Sequence, residues 1–355
     1  IFSITVRVVD DGDPELSDIE TFEITVEPQP EFTVSPVSGP PVAVPGQLRS
    51  FSITFTDPNS AGGYTATINW GDGITDNGVI RTQTADGVIR GGVSFWHTYT
   101  TVGNRTIRLT LRDSLGNERT SDFFITVQLV TIQPDYLDPL RRSLVVGGFE
   151  NLDDQITFNP DNGGVNVMYH NYSHGRFAIN GSVVAFSQGG NDTVRVHRTL
   201  ANPSMLFGQA GNDFLVGGAG GNVLVGGAGN DTLFGNAARD VLFGGLGMDR
   251  MFGIAPDEFS RVDDGDLIAS DLTAWEYDPA LMASIFRRWN SSASYADRLQ
   301  NLRYLESPTL NSNTVFEDFA SDKLIGGTGQ DWFVFFSTDW VMDREENEEG
   351  LGVRL

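Results

Sequence analysis

Between residues 208 and 252 an aspartate or asparagine stands at the sixth place of a nine-residue unit, and glycines crowd the places before it. The units are 208–216 (GQAGNDFLV), 217–225 (GGAGGNVLV), 226–234 (GGAGNDTLF), 235–243 (GNAARDVLF) and 244–252 (GGLGMDRMF). A further unit at 326–334 (GGTGQDWFV) returns after an interruption, and a degenerate one precedes the run at Gly189-Gly190-Asn191-Asp192-Thr193-Val194. Such residues supply oxygen: a carboxylate from each aspartate, and backbone carbonyls that glycine, free to take positive φ, can aim at a common point. An oxygen donor set with no need of nitrogen or sulfur suits calcium, a hard cation that gathers six to eight oxygens. The eighth place holds Leu215, Leu224, Leu233, Leu242 and Met251. A flexible Gly-Asn-Asp linker has no reason to keep a large apolar residue there, so the eighth place reads as the inward residue of a short strand.

This pattern resembles the G-G-x-G-x-D-x-U-x nonapeptide of the RTX, or hemolysin-type, calcium-binding repeat. The resemblance implies a right-handed parallel β-roll in which two units make one coil, units two apart stack on the same side, and each ion lies between stacked turns. The implied ligands are Gly208, Ala210, Asn212 and Asp213, then Gly226, Ala228, Asn230 and Asp231, then Gly244, Leu246, Met248 and Asp249, with Asp331 from the returning unit. Asp213, Asp231 and Asp249 share one side, with Gly211, Gly229 and Gly247 before them. The other side carries the uncharged Asn222, and Asp240 preceded by Ala238 and Arg239. Alanine resists the glycine conformation and arginine brings a competing cation. Calcium is therefore expected on one side only, in two sites, with Asp231 serving both while Asp213 and Asp249 border one each. Glycines that each cost about 0.5–1 kcal/mol more than alanine to fix, around a thin core, make folding of this region depend on the metal.

The elements before the repeats are β throughout residues 1–128, with apolar and polar residues alternating between Gly, Asp, Asn and Pro turns. A hairpin pattern occurs twice, from 4–10 to 22–26 and from 107–113 to 123–127, so residues 1–28 read as the C-terminal hairpin of a preceding β-sandwich. Glu27-Pro28-Gln29-Pro30 reads as a linker. Residues 64–73 (YTATINWGDG) and the later His97-Thr98-Tyr99 with Gly103 resemble the two motifs of PKD domains, which implies an immunoglobulin-like β-sandwich over 31–128. Trp70 is then a core aromatic and Asp72 a turn aspartate. Residues 129–143, with Pro134 and Pro139, read as a second linker, and 144–355 as the calcium-binding roll. Within it, repeats fill 208–252 and 317–334, strands at 155–158, 165–169, 176–179, 183–186 and 193–196 form ion-poor first rungs, and 254–316 is a partly helical insert. Asp278 and Pro279 open one helix whose apolar face is Leu281, Met282, Ile285, Phe286 and Trp289; Ser294 opens another. These stripes read as a cap packed on the roll. His170 and His174 flank a turn, but a metal pair lacks a third ligand. The fold class expected is all-β and multidomain: an immunoglobulin-like sandwich plus a right-handed parallel β-roll with a small helical insert.

Composition narrows the function. The 355 residues carry 47 Asp and Glu against 23 Lys and Arg, a formal charge of −24, so nucleic acid and anionic membranes are poor partners and metal cations are natural ones. There is no cysteine, hence no disulfide or thiolate site, and no apolar run long enough to span a membrane. The chain opens inside an alternating run, Ile1-Phe2-Ser3-Ile4, as a fragment would. No H-E-x-x-H, G-x-S-x-G, phosphate loop or cysteine nucleophile is present, so an enzyme is not expected. The block 294–303 (SYADRLQNLR), the returning unit and the acidic stretch 343–349 resemble the C-terminal region of very large bacterial surface proteins. The family's usual export route, type I secretion, reads a signal at the extreme C-terminus, with which the acidic stretch and Val353-Arg354-Leu355 are compatible. The reading is a calcium-stabilised structural or interaction module, extracellular and secreted or on the cell surface, whose partners are calcium ions and surface or matrix glycans or proteins. The alternatives are the accessory end of an exported enzyme and a carbohydrate-binding adhesin head.

Overall fold

The computed structural model describes residues 2–13, 17–24, 31–58, 62–254, 265–273, 278–305, 308–311, 313–327, 329–342 and 350–352. The segments 27–30, 343–349 and 353–355, read above as a linker, an acidic tail and a chain end, lie outside them. Strands account for 52% of the chain and helices for 7%, an all-β composition. Phe2–Val9 and Ser17–Ile24 pair as an antiparallel hairpin. From residue 31 to 128 the strands form two sheets, one of four strands and one of five. Their alternating sequence puts Phe51, Ile53, Phe55, Ile68, Trp70, Val93, Phe95, Leu109 and Leu111 into one buried cluster between them. Trp70 is at its centre, its indole stacked on His97 with ring centroids 4.4 Å apart. Asp72 is a turn aspartate: its Oδ1 accepts from the Ile74 N–H at 3.1 Å, and its Oδ2 lies 2.7 Å from His97 Nε2.

Beyond residue 129 the chain winds through two further sheets, of ten and nine strands among the described residues, and the winding strands pair in parallel. Ser204–Ala210, Asn222–Ala228 and Val241–Leu246 lie in the first sheet; Phe214–Val216, Thr232–Phe234 and Arg250–Phe252 lie in the second. Phe214 aligns with Thr232 and Thr232 with Arg250, so units two apart do stack, eighteen residues per coil. Leu215, Leu224, Leu233, Leu242 and Met251 are all fully buried between the sheets, together with Leu144, Ile156, Val194, Ile268, Leu324 and Phe333. The segment expected as a second linker contains a strand, Val130–Pro134, which pairs with Arg142–Gly147 at the start of the first sheet. This junction is packed: Gln47 and Gln133 are buried and hydrogen-bond each other at 2.9 Å, and Arg49 donates to Gln133 at 2.6 Å.

The core is not thin on the first-sheet side. Its strands carry apolar triplets (Val223-Leu224-Val225, Val241-Leu242-Phe243), as a strand covered on both faces requires, whereas the second sheet has Thr232-Leu233-Phe234 and Arg250-Met251-Phe252. The outer residues of those triplets, Val223, Val225, Val241 and Phe243, are buried against α1 (Pro279–Trp289), which contributes Met282, Ile285, Phe286 and Trp289. Asp278 caps α1, accepting from the Ala280 and Leu281 amides, and Ser294 caps α2 (Tyr295–Gln300), both as expected. After the first-sheet strand Leu267–Thr273 the chain makes this helical excursion and resumes in the second sheet at Lys323–Ile325. Lys323 there aligns with Arg250, so the stack continues in register.

Candidate metal site

Two edges join the sheets, and each nonapeptide turn occupies one of them. On the edge formed by the turns at 211–213, 229–231 and 247–249, the aspartates make a ladder. The Asp213 N–H donates to Asp231 Oδ1 at 2.7 Å, and the Asp231 N–H donates to Asp249 Oδ1 at 2.8 Å. The ladder runs beyond the repeats. Asp154 donates to Asp192 at 2.7 Å and Asp192 to Asp213 at 2.8 Å; below, Asp249 donates to Asp322 at 2.6 Å and Asp322 to Asp339 at 3.1 Å. This corrects the expectation that Asp213 and Asp249 end the stack. Both are interior, as Asp231 is.

One oxygen of each carboxylate is thus used. The other, Oδ2 of Asp192, Asp213, Asp231, Asp249 and Asp322, is buried with no hydrogen-bond partner. A buried anionic oxygen without a partner is costly. The first glycine of each unit explains the space before it. A Cβ on Gly208 would collide with Asp213 Oδ2 and the Gly226 carbonyl, and one on Gly226 with Asp231 Oδ2 and the Gly244 carbonyl. Carboxylate and carbonyl oxygens therefore face one recess per turn, a donor set that fits calcium. Burial raises Asp192, Asp213 and Asp231 to about 7. Burial, reinforced by repulsion from Asp231, Asp322 and Asp318, raises Asp249 to about 9. Without a cation, burial thus favours the protonated form far above the usual carboxylate range.

Backbone and amide groups frame the recesses. The Gly211 N–H donates to the Ala228 carbonyl and the Gly229 N–H to the Leu246 carbonyl, both at 2.7 Å; the Ala210 carbonyl accepts from Gly190 at 3.1 Å. The expected ligands at the third place thus also pin turn to turn, leaving each carbonyl its second lone pair. Asn212 Oδ1 accepts from the Asn230 N–H at 2.6 Å, and Asn230 Oδ1 from the Met248 N–H at 2.8 Å, a parallel asparagine ladder. Gly211, Gly229 and Gly247 have φ of 122°, 138° and 117°, outside the αL basin that other residues visit.

The opposite edge differs, though not for the reason expected. Arg239 offers no cation to it: its guanidinium donates to the Ser291 carbonyl at 3.1 Å and reaches the Trp289 carbonyl at 3.5 Å, at the end of α1. Ala238 does adopt a positive φ, 73°, but this is the αL basin, so the turn does not copy the glycine turns of the first edge. At the turn after Gly217 the recess is filled by Asn222, while Gly235 and Gly253 still leave space before Asp240 Oδ2 and Asp266 Oδ2. Asn222 Nδ2 donates to the Gly235 carbonyl and to Asp240 Oδ1, both at 2.9 Å, and Asn222 Oδ1 accepts from Ser204 and Gly218. An amide hydrogen stands where a cation would. Asp331 also lies on this edge, as the Asp240 N–H donates to Asp266 at 2.8 Å and the Asp266 N–H to Asp331 at 2.6 Å; it does not join the Asp213 stack.

At the N-terminal end of the ladder, Asp154 Oδ1 accepts from Tyr169 Oη at 2.5 Å and lies 3.0 Å from His170 Nε2. His174 packs its ring on Tyr169, centroids 5.9 Å apart. His170 therefore serves the ladder's end. Asp154, Asp322 and Asp339 were not among the expected site residues, yet each is followed two places later by an apolar residue of the inter-sheet core, Ile156, Leu324 and Val341. The D-x-U half of the motif survives there without its glycines.

Residues 205–224 and 216–251 match the RTX calcium-binding nonapeptide repeat, in four copies. No curated protein matches the chain. These repeats bind calcium ions, and they are typical of exported bacterial proteins. Among the described residues no helix is long and apolar enough to cross a membrane.

Proposed function

We propose that this chain is a non-catalytic, calcium-stabilised structural and interaction module of a secreted or cell-surface bacterial protein, with a role in adhesion or surface architecture. The observation that carries the reading is the row of buried carboxylates from Asp192 to Asp322 whose second oxygens have no hydrogen-bond partner. A row of this kind is a liability in a calcium-poor cytosol and a source of rigidity where calcium lies near the 10⁻⁴–10⁻³ M typical of extracellular modules. On this reading the coil from Val130 onward is a right-handed β-roll, and residues 31–128 are a PKD-like, immunoglobulin-type sandwich that spaces it from whatever precedes. The ligands are Asp213, Asp231 and Asp249, with carbonyls of Gly208, Ala210, Asn212, Gly226, Ala228, Asn230, Gly244, Leu246 and Met248.

Heating the protein with calcium and with chelator tests the proposal. The coil's transition should shift by tens of degrees. That of the sandwich, built on the apolar cluster around Trp70, should move only as far as the Gln47–Gln133 junction couples it. Loss of neither transition on chelation would overturn the reading.

A further inference from the structure

The place where the stack is interrupted holds a different kind of cluster. Leu267–Thr273 is the first-sheet strand from which the helical excursion departs, and a nonapeptide turn would ordinarily follow it. In register, Asp271 stands beside Gly245, the second glycine of the preceding turn. The chain returns at Asp322, immediately before Lys323–Ile325, and the next coil supplies Asp339, immediately before Trp340–Val341. Asp271, Asp322 and Asp339 each bring a carboxylate oxygen within 4.8 Å of the other two. None of them belongs to a matched repeat.

Two observations say that the cluster lacks positive charge. Asp322 is 1% exposed, its Oδ2 has no hydrogen-bond partner, and the charges around it are those of Asp339, Asp271 and Asp318. Ser270 Oγ has one hydrogen and three acceptors in reach: Asp271 Oδ2, Asp339 Oδ2 at 2.9 Å and the Val334 carbonyl at 3.3 Å. It can serve only one at a time. The remaining bonds come from backbone N–H groups and one hydroxyl: Asp271 Oδ1 accepts from the Asp318 N–H at 3.1 Å, Asp339 Oδ2 from the Phe336 N–H at 2.7 Å, Asp339 Oδ1 from the Asp322 N–H at 3.1 Å and from Thr338 Oγ1 at 3.4 Å, and Asp322 Oδ1 from the Asp249 N–H. No lysine, arginine or histidine donates to these three carboxylates among the bonds of the described residues.

We propose that Asp271, Asp322 and Asp339 form a further calcium site at the C-terminal end of the aspartate row, resting on the reading of that row given above, which clamps the mouth of the excursion and ties the strand where the chain leaves the coil to the turn where it re-enters. The site differs in construction from the nonapeptide recesses. Those take one carboxylate per turn and complete the shell with carbonyls, whereas this one takes three carboxylates and the Ser270 hydroxyl. An all-oxygen set of high charge selects a hard divalent cation, and flexible carboxylate denticity suits the larger calcium better than octahedral magnesium. Asp318 reinforces the clamp from the excursion side by accepting from Gly247 N, replacing the carbonyl that the missing turn would have offered.

Trp340 adjoins Asp339 and is largely exposed, while the repeats 208–252 contain no tryptophan, so terbium at this site has an adjacent sensitiser that the repeat recesses lack. In the full chain loaded with terbium, tryptophan-excited emission should appear, be displaced by calcium, and fall several-fold in Trp340→Phe. Asp271→Asn and Asp339→Asn should each lower the calcium stoichiometry by one ion while the repeat sites remain filled. Unchanged stoichiometry in both aspartate variants would overturn the proposal. If either variant fails to fold, the Trp340→Phe protein decides: emission equal to that of the unaltered chain would overturn it equally.

Discussion

Replacing Asp231 by Asn separates what the carboxylate does for calcium from what it does for the fold. The Asn Oδ1 can still accept from the Asp213 N–H, now 2.7 Å from the carboxylate, so the ladder stays closed. Its Nδ2 would meet the Gly244 carbonyl, as Asn222 Nδ2 already meets the Gly235 carbonyl at 2.9 Å. The charge, however, is gone from the recesses on both sides of the turn. With calcium a hundredfold above its Kd each filled site contributes about 2.7 kcal/mol, so losing two costs about 5 kcal/mol. For a unit of this size that is roughly 10–20 °C in Tm. In chelator the variant should melt no lower than the parent, because it has shed a buried carboxylate with an unpartnered oxygen. Calorimetric titration and scanning calorimetry, each with calcium and with chelator, provide both numbers. Since Asp192 and Asp322 extend the stack, Asp213→Asn and Asp249→Asn should match Asp231→Asn rather than cost half as much. A drop in Tm of equal size in calcium and in chelator would refute the argument, because the role of Asp231 would then be structural.

Other outcomes follow from the same geometry. Folded-state carboxylates raised to about 7 and about 9 bind protons that the unfolded chain, with aspartate near 3.9, does not. Stability of the chelated protein is therefore fullest at acid pH and should fall as pH rises from about 5 to 9, while calcium affinity rises over the same window; thermal melts across pH check this. On the opposite edge Asp240→Asn should leave calcium stoichiometry unchanged, and Asn222→Asp should remove the amide plug and make that edge respond to calcium in titration. Gly229→Ala should cost at least 2 kcal/mol in either condition, since φ of 138° and a Cβ directed at the Gly211 carbonyl leave nothing for the ion to rescue; denaturant melts would show it.

How much of this was legible in the residues depended on whether the signal was local. The period of nine, the inward residue at the eighth place and the caps of α1 and α2 are local, and the fold has all of them. The ladder's true length was half legible: Asp154, Asp322 and Asp339 keep the aspartate and the inward apolar residue but lack the glycines that made the repeats conspicuous. The side chain of Arg239 was not legible, because its partners, the carbonyls of Trp289 and Ser291, are fifty residues away and reach it only once α1 has docked. Nor was Asp271, which substitutes for a glycine in a strand with no repeat of its own. Val130–Pro134 looked like a linker because Pro134 and the nearby Pro139 hid a strand that pairs on one side only, with Arg142–Gly147.

The excursion after Thr273 shows what the coil asks of its own connections. Successive ladder bonds normally span 18 residues, yet the bond from Asp249 to Asp322 spans 73 with no loss of register. Closing the longer span costs about 1.2 kcal/mol more in chain entropy, a sum that the buried face of α1 exceeds by itself. A stack of this kind counts neighbours in space and is nearly indifferent to the path taken between them. The excursion leaves from the ion-row edge itself, packs α1 on the outer face of the first sheet, and returns in register with the aspartate ladder.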